Sequence, residues 1–107
     1  MELTSEVKSK IEAALKEKSI CLFMKGTPAF PQCGFSQRAI ALLNEVGADY
    51  HAVNVLEDQE IRNGIKVFGN WPTIPQLYKD GKLLGGSDIL MEMYQEGELE
   101  EALGARP

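Results

Sequence analysis

The spacing of apolar residues changes from one segment to the next, and each change marks an element. Val7, Ile11 and Leu15 recur every fourth position among charged residues, which predicts an amphipathic helix capped by Thr4 or Ser5 and running to about position 18. Ile20 to Met24 is an unbroken apolar run bounded by Ser19 and by Lys25-Gly26, the pattern of a strand buried on both faces. The next seven residues, 26–32, contain Pro28 and Pro31 and predict a loop. Helical spacing returns with Phe35, Ala39, Leu42, Leu43 and Val46, and Gly47 supplies a stop, so the spacing predicts a helix over 35–46.

A short strand is predicted over 50–55, followed by a helix capped by Asp58 with Ile61, Ile65 and Phe68 on one side. Strands over 75–79 and 82–84 flank Asp80-Gly81, a pair whose tolerance of positive φ suits a two-residue hairpin turn. After Gly85-Gly86, Ser87 or Asp88 can cap a helix through Ile89, Leu90, Met93 and Tyr94, and residues 98–103 can form a last short helix. This order implies a parallel βαβ unit joined to an antiparallel pair, the outline of a thioredoxin-like α/β fold with a four-stranded mixed sheet between helices. In such a sheet the end of the first strand and the start of the second helix form a ligand crevice. Cys33 falls there.

Composition narrows the setting. A length of 107 residues predicts one domain, 1–107, and the balance of 44% hydrophobic to 25% charged residues is that of a globular protein. A net charge of −5 leaves no basic surface able to neutralise a phosphate backbone, so no nucleic acid is expected as a partner. The longest apolar run is five residues against the roughly 20 that a bilayer span needs, so no membrane is expected either. The first residues lack the basic start and apolar stretch of a signal peptide, and two cysteines are too few for a disulfide-stapled scaffold; a cytoplasmic, reducing location is the expectation.

The two cysteines differ in context. Cys21, between Ile20 and Leu22-Phe23-Met24, is read as a small core residue. Cys33 precedes a helix whose unpaired N–H groups and partial positive charge favour a thiolate, and Lys25 can add a full charge nearby. Ser36 stands where a C-x-x-C motif would carry its second thiol. A disulfide formed at Cys33 must therefore be resolved by an external thiol, and glutathione is the abundant candidate in a reducing cytosol.

Met24-Lys25-Gly26-Thr27-Pro28, Pro31-Gln32-Cys33-Gly34-Phe35-Ser36, Asn70-Trp71-Pro72-Thr73-Ile74-Pro75-Gln76 and Gly85-Gly86-Ser87-Asp88 occur in that order. Across nearly all of residues 5–103 the chain resembles the monothiol glutaredoxins with a CGFS active site. The resemblance implies a glutaredoxin fold with Pro75 as a cis-proline facing Cys33. It implies glutathione contacts at Lys25, Arg62, Thr73, Ile74, Gly86, Ser87 and Asp88, with Lys66, one turn after Arg62, as a weaker candidate. It also implies a [2Fe-2S] cluster held by Cys33 and one glutathione from each of two protomers, a cluster-bridged homodimer that delivers clusters to apo iron-sulfur proteins.

Two other activities fit the same crevice. One is glutathione-dependent thiol-disulfide exchange that removes glutathione from proteins; the seven-residue loop before Cys33 and the lack of a resolving thiol resemble the branch in which such enzyme activity is weak. The other is a cluster-dependent iron or redox sensor that pairs with a BolA-like protein. Several members carry Cys after the Gly-Gly pair where this chain has Ser87, which removes a second thiol near the site.

Overall fold

In the computed structural model, which describes residues 2–104, the apolar run forms β1 (Ile20–Met24), buried along its whole length. Its side chains alternate between two cores. Ile20, Leu22 and Met24 join one cluster, whereas Cys21 and Phe23 join the other. Continuous hydrophobicity is what a strand covered on both faces requires. Each large side chain fully withdrawn from water contributes about 1.5–3 kcal/mol, so this strand anchors both layers.

β2 (His51–Asn54) pairs with β1 in parallel and β3 (Gln76–Lys79) pairs with it antiparallel. β4 (Lys82–Gly85) closes a hairpin with β3, giving the order β2-β1-β3-β4 in a four-stranded mixed sheet. The hairpin turn is Asp80-Gly81, with φ of 51° and 80°, the two positive values that such a turn demands.

Helices α1 (Ser5–Leu15) and α3 (Gln59–Phe68) cover one face, with Val7, Ile11, Ile61 and Ile65 in its core. Helices α2 (Gly34–Glu45), α4 (Ser87–Gln95) and α5 (Leu99–Leu103) cover the other through Ala39, Leu42, Leu43, Leu90, Leu99 and Leu103. None of these helices is long and apolar enough to cross a membrane.

The elements follow the predicted order, with local corrections. α1 ends at Leu15, short of the predicted position 18. Beyond Leu15 no apolar residue continues the stripe: the N–H groups of Lys16 and Glu17 fold back three residues to Ala13 and Ala14, and Lys18 pairs with Asp49 at 2.6 Å. β2 stops at Asn54 because its side chain accepts from the Leu56 N–H at 3.0 Å and turns Val55–Glu57 into a 3-10 turn. Asp58 caps α3 as predicted, accepting from the N–H groups of Glu60 and Ile61 at 3.0 and 3.1 Å. The cap of α4 is Gly86, not Ser87 or Asp88, and it makes no side-chain bond; Ser87 and Asp88 lie inside the first turn.

After β1 the chain turns at Gly26, whose φ of +94° is a left-handed value and whose N–H donates to Asn54 at 2.9 Å. A Cβ there would lie 2.5 Å from the Phe30 carbonyl oxygen and 2.7 Å from the Gln32 nitrogen, both backbone atoms that cannot step aside. Gly26→Ala is therefore expected to lower stability by about 1–3 kcal/mol, read as a reduced urea midpoint with an unchanged slope.

Candidate functional site

The loop after β1 is closed on itself. Thr27 and Phe30 exchange backbone N–H bonds at 3.2 and 3.0 Å, and the Gln32 N–H returns to the Lys25 carbonyl at 2.8 Å. That return leaves Phe30 at the tip, 73% exposed, and delivers Cys33 to the start of α2. Cys33 is the N-cap of α2: its backbone is extended and its sulfur accepts from the Ser36 N–H at 3.3 Å. The Ser36 hydroxyl, fully buried, lies 3.3 Å from the same sulfur and accepts from the Lys25 N–H at 3.1 Å.

These contacts set the thiol's acidity. Partial burial pushes the Cys33 thiol up, but the Ser36 hydroxyl, the N–H groups of Ser36 and Phe35, and the Lys25 charge outweigh it, so the net shift is downward. Cys21 has only the burial and is pushed up to about 12. The chain therefore has one reactive thiol, half-buried at a helix start, and one inert thiol in the core. A lowered folded value also stabilises the fold: this contribution is complete above the ordinary thiol value and is lost as pH falls through the lowered one.

Beside Cys33 runs a groove of about 410 Å³, bounded by Lys25, Phe35, Lys66, residues 71–75 and residues 86–89. Cys33 is not itself among the lining residues; Phe35, two positions further on in α2 and 56% exposed, is. Of the expected contact residues, Lys25, Thr73, Ile74, Gly86, Ser87 and Asp88 all line the groove. Arg62 is not among the lining residues, and Lys66, one turn further along α3, is. The Ile74–Pro75 peptide bond is cis. Ile74 sends its side chain into the core with Cys21, Phe23 and Tyr78, which leaves its main chain to the groove.

Two residues that the sequence did not single out organise this surface. Gln76, fully buried, donates to the carbonyls of Trp71 and Thr73 at 3.0 and 3.2 Å and accepts from the Tyr78 hydroxyl at 2.8 Å. It ties the groove's 71–75 wall to the sheet. Its signal was a lone amide between Pro75 and Leu77 in a strand otherwise apolar on that side. At the far end, Arg38 of α2 pairs with Asp88 at 3.1 Å. Among the described residues no group of three or more His, Cys, Asp or Glu is placed to hold a metal ion.

The glutaredoxin family model matches residues 20–84, which carry β1 to β3, most of β4 and the groove's lining up to residue 75. The chain belongs to the glutaredoxin family. Relatives that match most of the chain include monothiol glutaredoxins. An uncharacterised ycf64-like monothiol glutaredoxin of Synechocystis is 48% identical over 101 residues, covering 94% of both chains. The mitochondrial monothiol glutaredoxin-5 of Lachancea kluyveri is 52% identical over 104 residues, 94% of this chain and 73% of the relative. Among solved structures, reduced poplar apo GrxS14 superposes with a TM-score of 0.83 at 44% identity, covering 97% of this chain and 95% of that one. The family and fold expected from the motifs are thus the ones found.

Two variants check the site of this glutaredoxin. Ser36→Ala removes the hydroxyl beside the sulfur, so the pH midpoint of Cys33 alkylation by iodoacetamide is expected to rise toward that of an ordinary thiol, with Cys21 unmodified while the protein stays folded. Gln76→Leu withdraws three hydrogen-bond partners at once and is expected to cost about 1–3 kcal/mol in urea denaturation, more than Tyr78→Phe, which strands one acceptor.

Proposed function

We propose that this monothiol glutaredoxin binds glutathione in the groove and, as a homodimer, carries a [2Fe-2S] cluster held by Cys33 and glutathione from each protomer. The observation that carries the reading is the inequality of the two thiols: Cys33 is acidified and accessible, whereas Cys21 is 1% exposed. Such a cluster takes four thiolates, and one protomer can offer a single one. Three must come from outside the chain. A second protomer and two thiol-bearing ligands supply them.

The groove suits glutathione as that ligand. Lys25 and Lys66 in the groove provide positive charge for a carboxylate, with Arg62, one turn before Lys66 on α3, outside the lining. Thr73 and Ile74 can pair their main chain with an extended peptide. The start of α4 at Gly86 and Ser87 presents N–H groups to a second carboxylate, and Asp88 can take the γ-glutamyl ammonium. A buckwheat glutaredoxin has been solved as a glutathione complex. The cluster is cargo here: thiolate ligands supplied partly by an exchangeable tripeptide suit release to apo iron-sulfur proteins in a reducing, cytoplasmic setting, and the same exposed face could admit a BolA-like partner.

A second reading draws on the same acidified thiol. The Cys33 thiolate attacks the glutathione sulfur of a protein mixed disulfide, the protein thiolate leaves, and a second glutathione then attacks the Cys33 adduct to release oxidised glutathione. Glutathione is the two-electron reductant, ending as the oxidised dimer while the protein thiol is released, and no second protein thiol is needed.

Anaerobic reconstitution with and without glutathione separates the two. Visible absorption and circular dichroism of a [2Fe-2S] cluster, with iron, sulfide and glutathione counted, are expected only with glutathione and in a dimer, and Cys33→Ser is expected to abolish them. Full cluster occupancy without glutathione would sink the proposal. Glutathione binding with no cluster, together with turnover of a glutathionylated substrate that Cys33→Ser abolishes, would favour the second reading.

A further inference from the structure

Arg38 and Asp88 meet where α2 packs against α4, at the end of the groove formed by residues 86–89. Two contacts hold the guanidinium there: its Nη1 lies 3.1 Å from Asp88 Oδ1, and its central carbon lies 5.9 Å from the centroid of the Phe35 ring, itself part of the groove. Asp88 is otherwise open. Its side chain is 86% exposed and caps nothing, because Gly86 begins the helix without a side-chain bond. Ser87 beside it lines the groove and is 4% exposed as a residue, and its buried hydroxyl has no hydrogen-bond partner in the protein. The start of α4 thus offers its N–H groups to a carboxylate, while the neighbouring acid is already taken.

We infer that Arg38 is a specificity-determining residue that competes with the ligand's ammonium group for Asp88. This rests on the reading of Asp88 as the ammonium site of bound glutathione. A ligand with only a carboxylate at this end settles on the helix start and leaves the Arg38–Asp88 pair intact. A ligand with an ammonium beside that carboxylate must break the pair. Phe35 keeps the guanidinium close after displacement, so it remains poised to return, and the competition continues at every encounter. The free amine is therefore worth less to binding in the native protein than the exposed Asp88 alone would make it.

Amide chemical-shift titrations test this with S-methylglutathione and its N-acetyl derivative, which lacks the ammonium; neither carries a free thiol, so no disulfide or cluster intervenes. The quantity read is the ratio of the two dissociation constants, acetylated over free. Arg38→Gln is expected to raise that ratio roughly two- to fivefold, the scale of an exposed ion pair. In an Asp88→Asn background the same substitution is expected to leave it unchanged. The spectrum of each variant reports its fold directly. An unchanged ratio in Arg38→Gln overturns the competition, and a lower one overturns it too by showing that Arg38 helps to hold the free-amine ligand. A ratio near one both in the native protein and in Arg38→Gln, where the competitor is gone, means that Asp88 is not the ammonium site; the glutathione reading of that residue then fails, and this inference with it.

Discussion

The buried hydroxyl of Ser36 accepts from the Lys25 N–H at the end of β1 and lies beside the Cys33 sulfur at the start of α2, so one oxygen governs how the central strand hands over to the helix that bears the thiol. With a lone pair committed to Lys25, the hydroxyl's proton is free to point at sulfur. The Ser36 N–H already does so. The site therefore has two donors for a thiolate from one residue, whereas a protonated thiol makes poorer use of either. That geometry needs β1 fixed between two cores, the loop folded back through Gln32 onto Lys25, and Gly26 in a conformation a side chain would obstruct.

Charge is distributed to the same end. The chain as a whole carries −5, yet the groove gathers Lys25 and Lys66 and the N–H groups at the start of α4. A positive rim on an acidic protein attracts small anions. Asp88 is the exception inside the rim, and Arg38 pairs with its charge.

Much of this was legible in the residues because it is local. The unbroken apolar run of β1, the Asp58 cap and the Asp80-Gly81 turn each depend on neighbours a few positions away, and each formed as its chemistry dictates. Ends were less legible. Lys16, Glu17 and Lys18 are good helix formers, but nothing on the core needs them, so packing stops α1 where propensity would not. Ser87 and Asp88 have the chemistry of caps, yet one lines the groove and the other answers Arg38, fifty residues away. Arg62 and Lys66 share a helix face, and their periodicity cannot say which of the two reaches residues 71–75; that depends on how far α3 slides along the sheet. Gln76 and Arg38 act through partners fixed only by the fold.

The position that would resolve a disulfide in a two-cysteine site holds instead the hydroxyl that favours the Cys33 thiolate, and the remaining cysteine is locked in the core, where burial pushes its thiol up to about 12. The same substitution thus does two things: it sharpens the reactive sulfur and denies it an internal partner. Any bond that Cys33 makes, to sulfur or to metal, must then be completed or broken by something that enters from the groove. A ligand held there is a participant in the chemistry rather than an accessory to it, and the residues that select its charged ends act on the reaction as directly as those that tune the thiol.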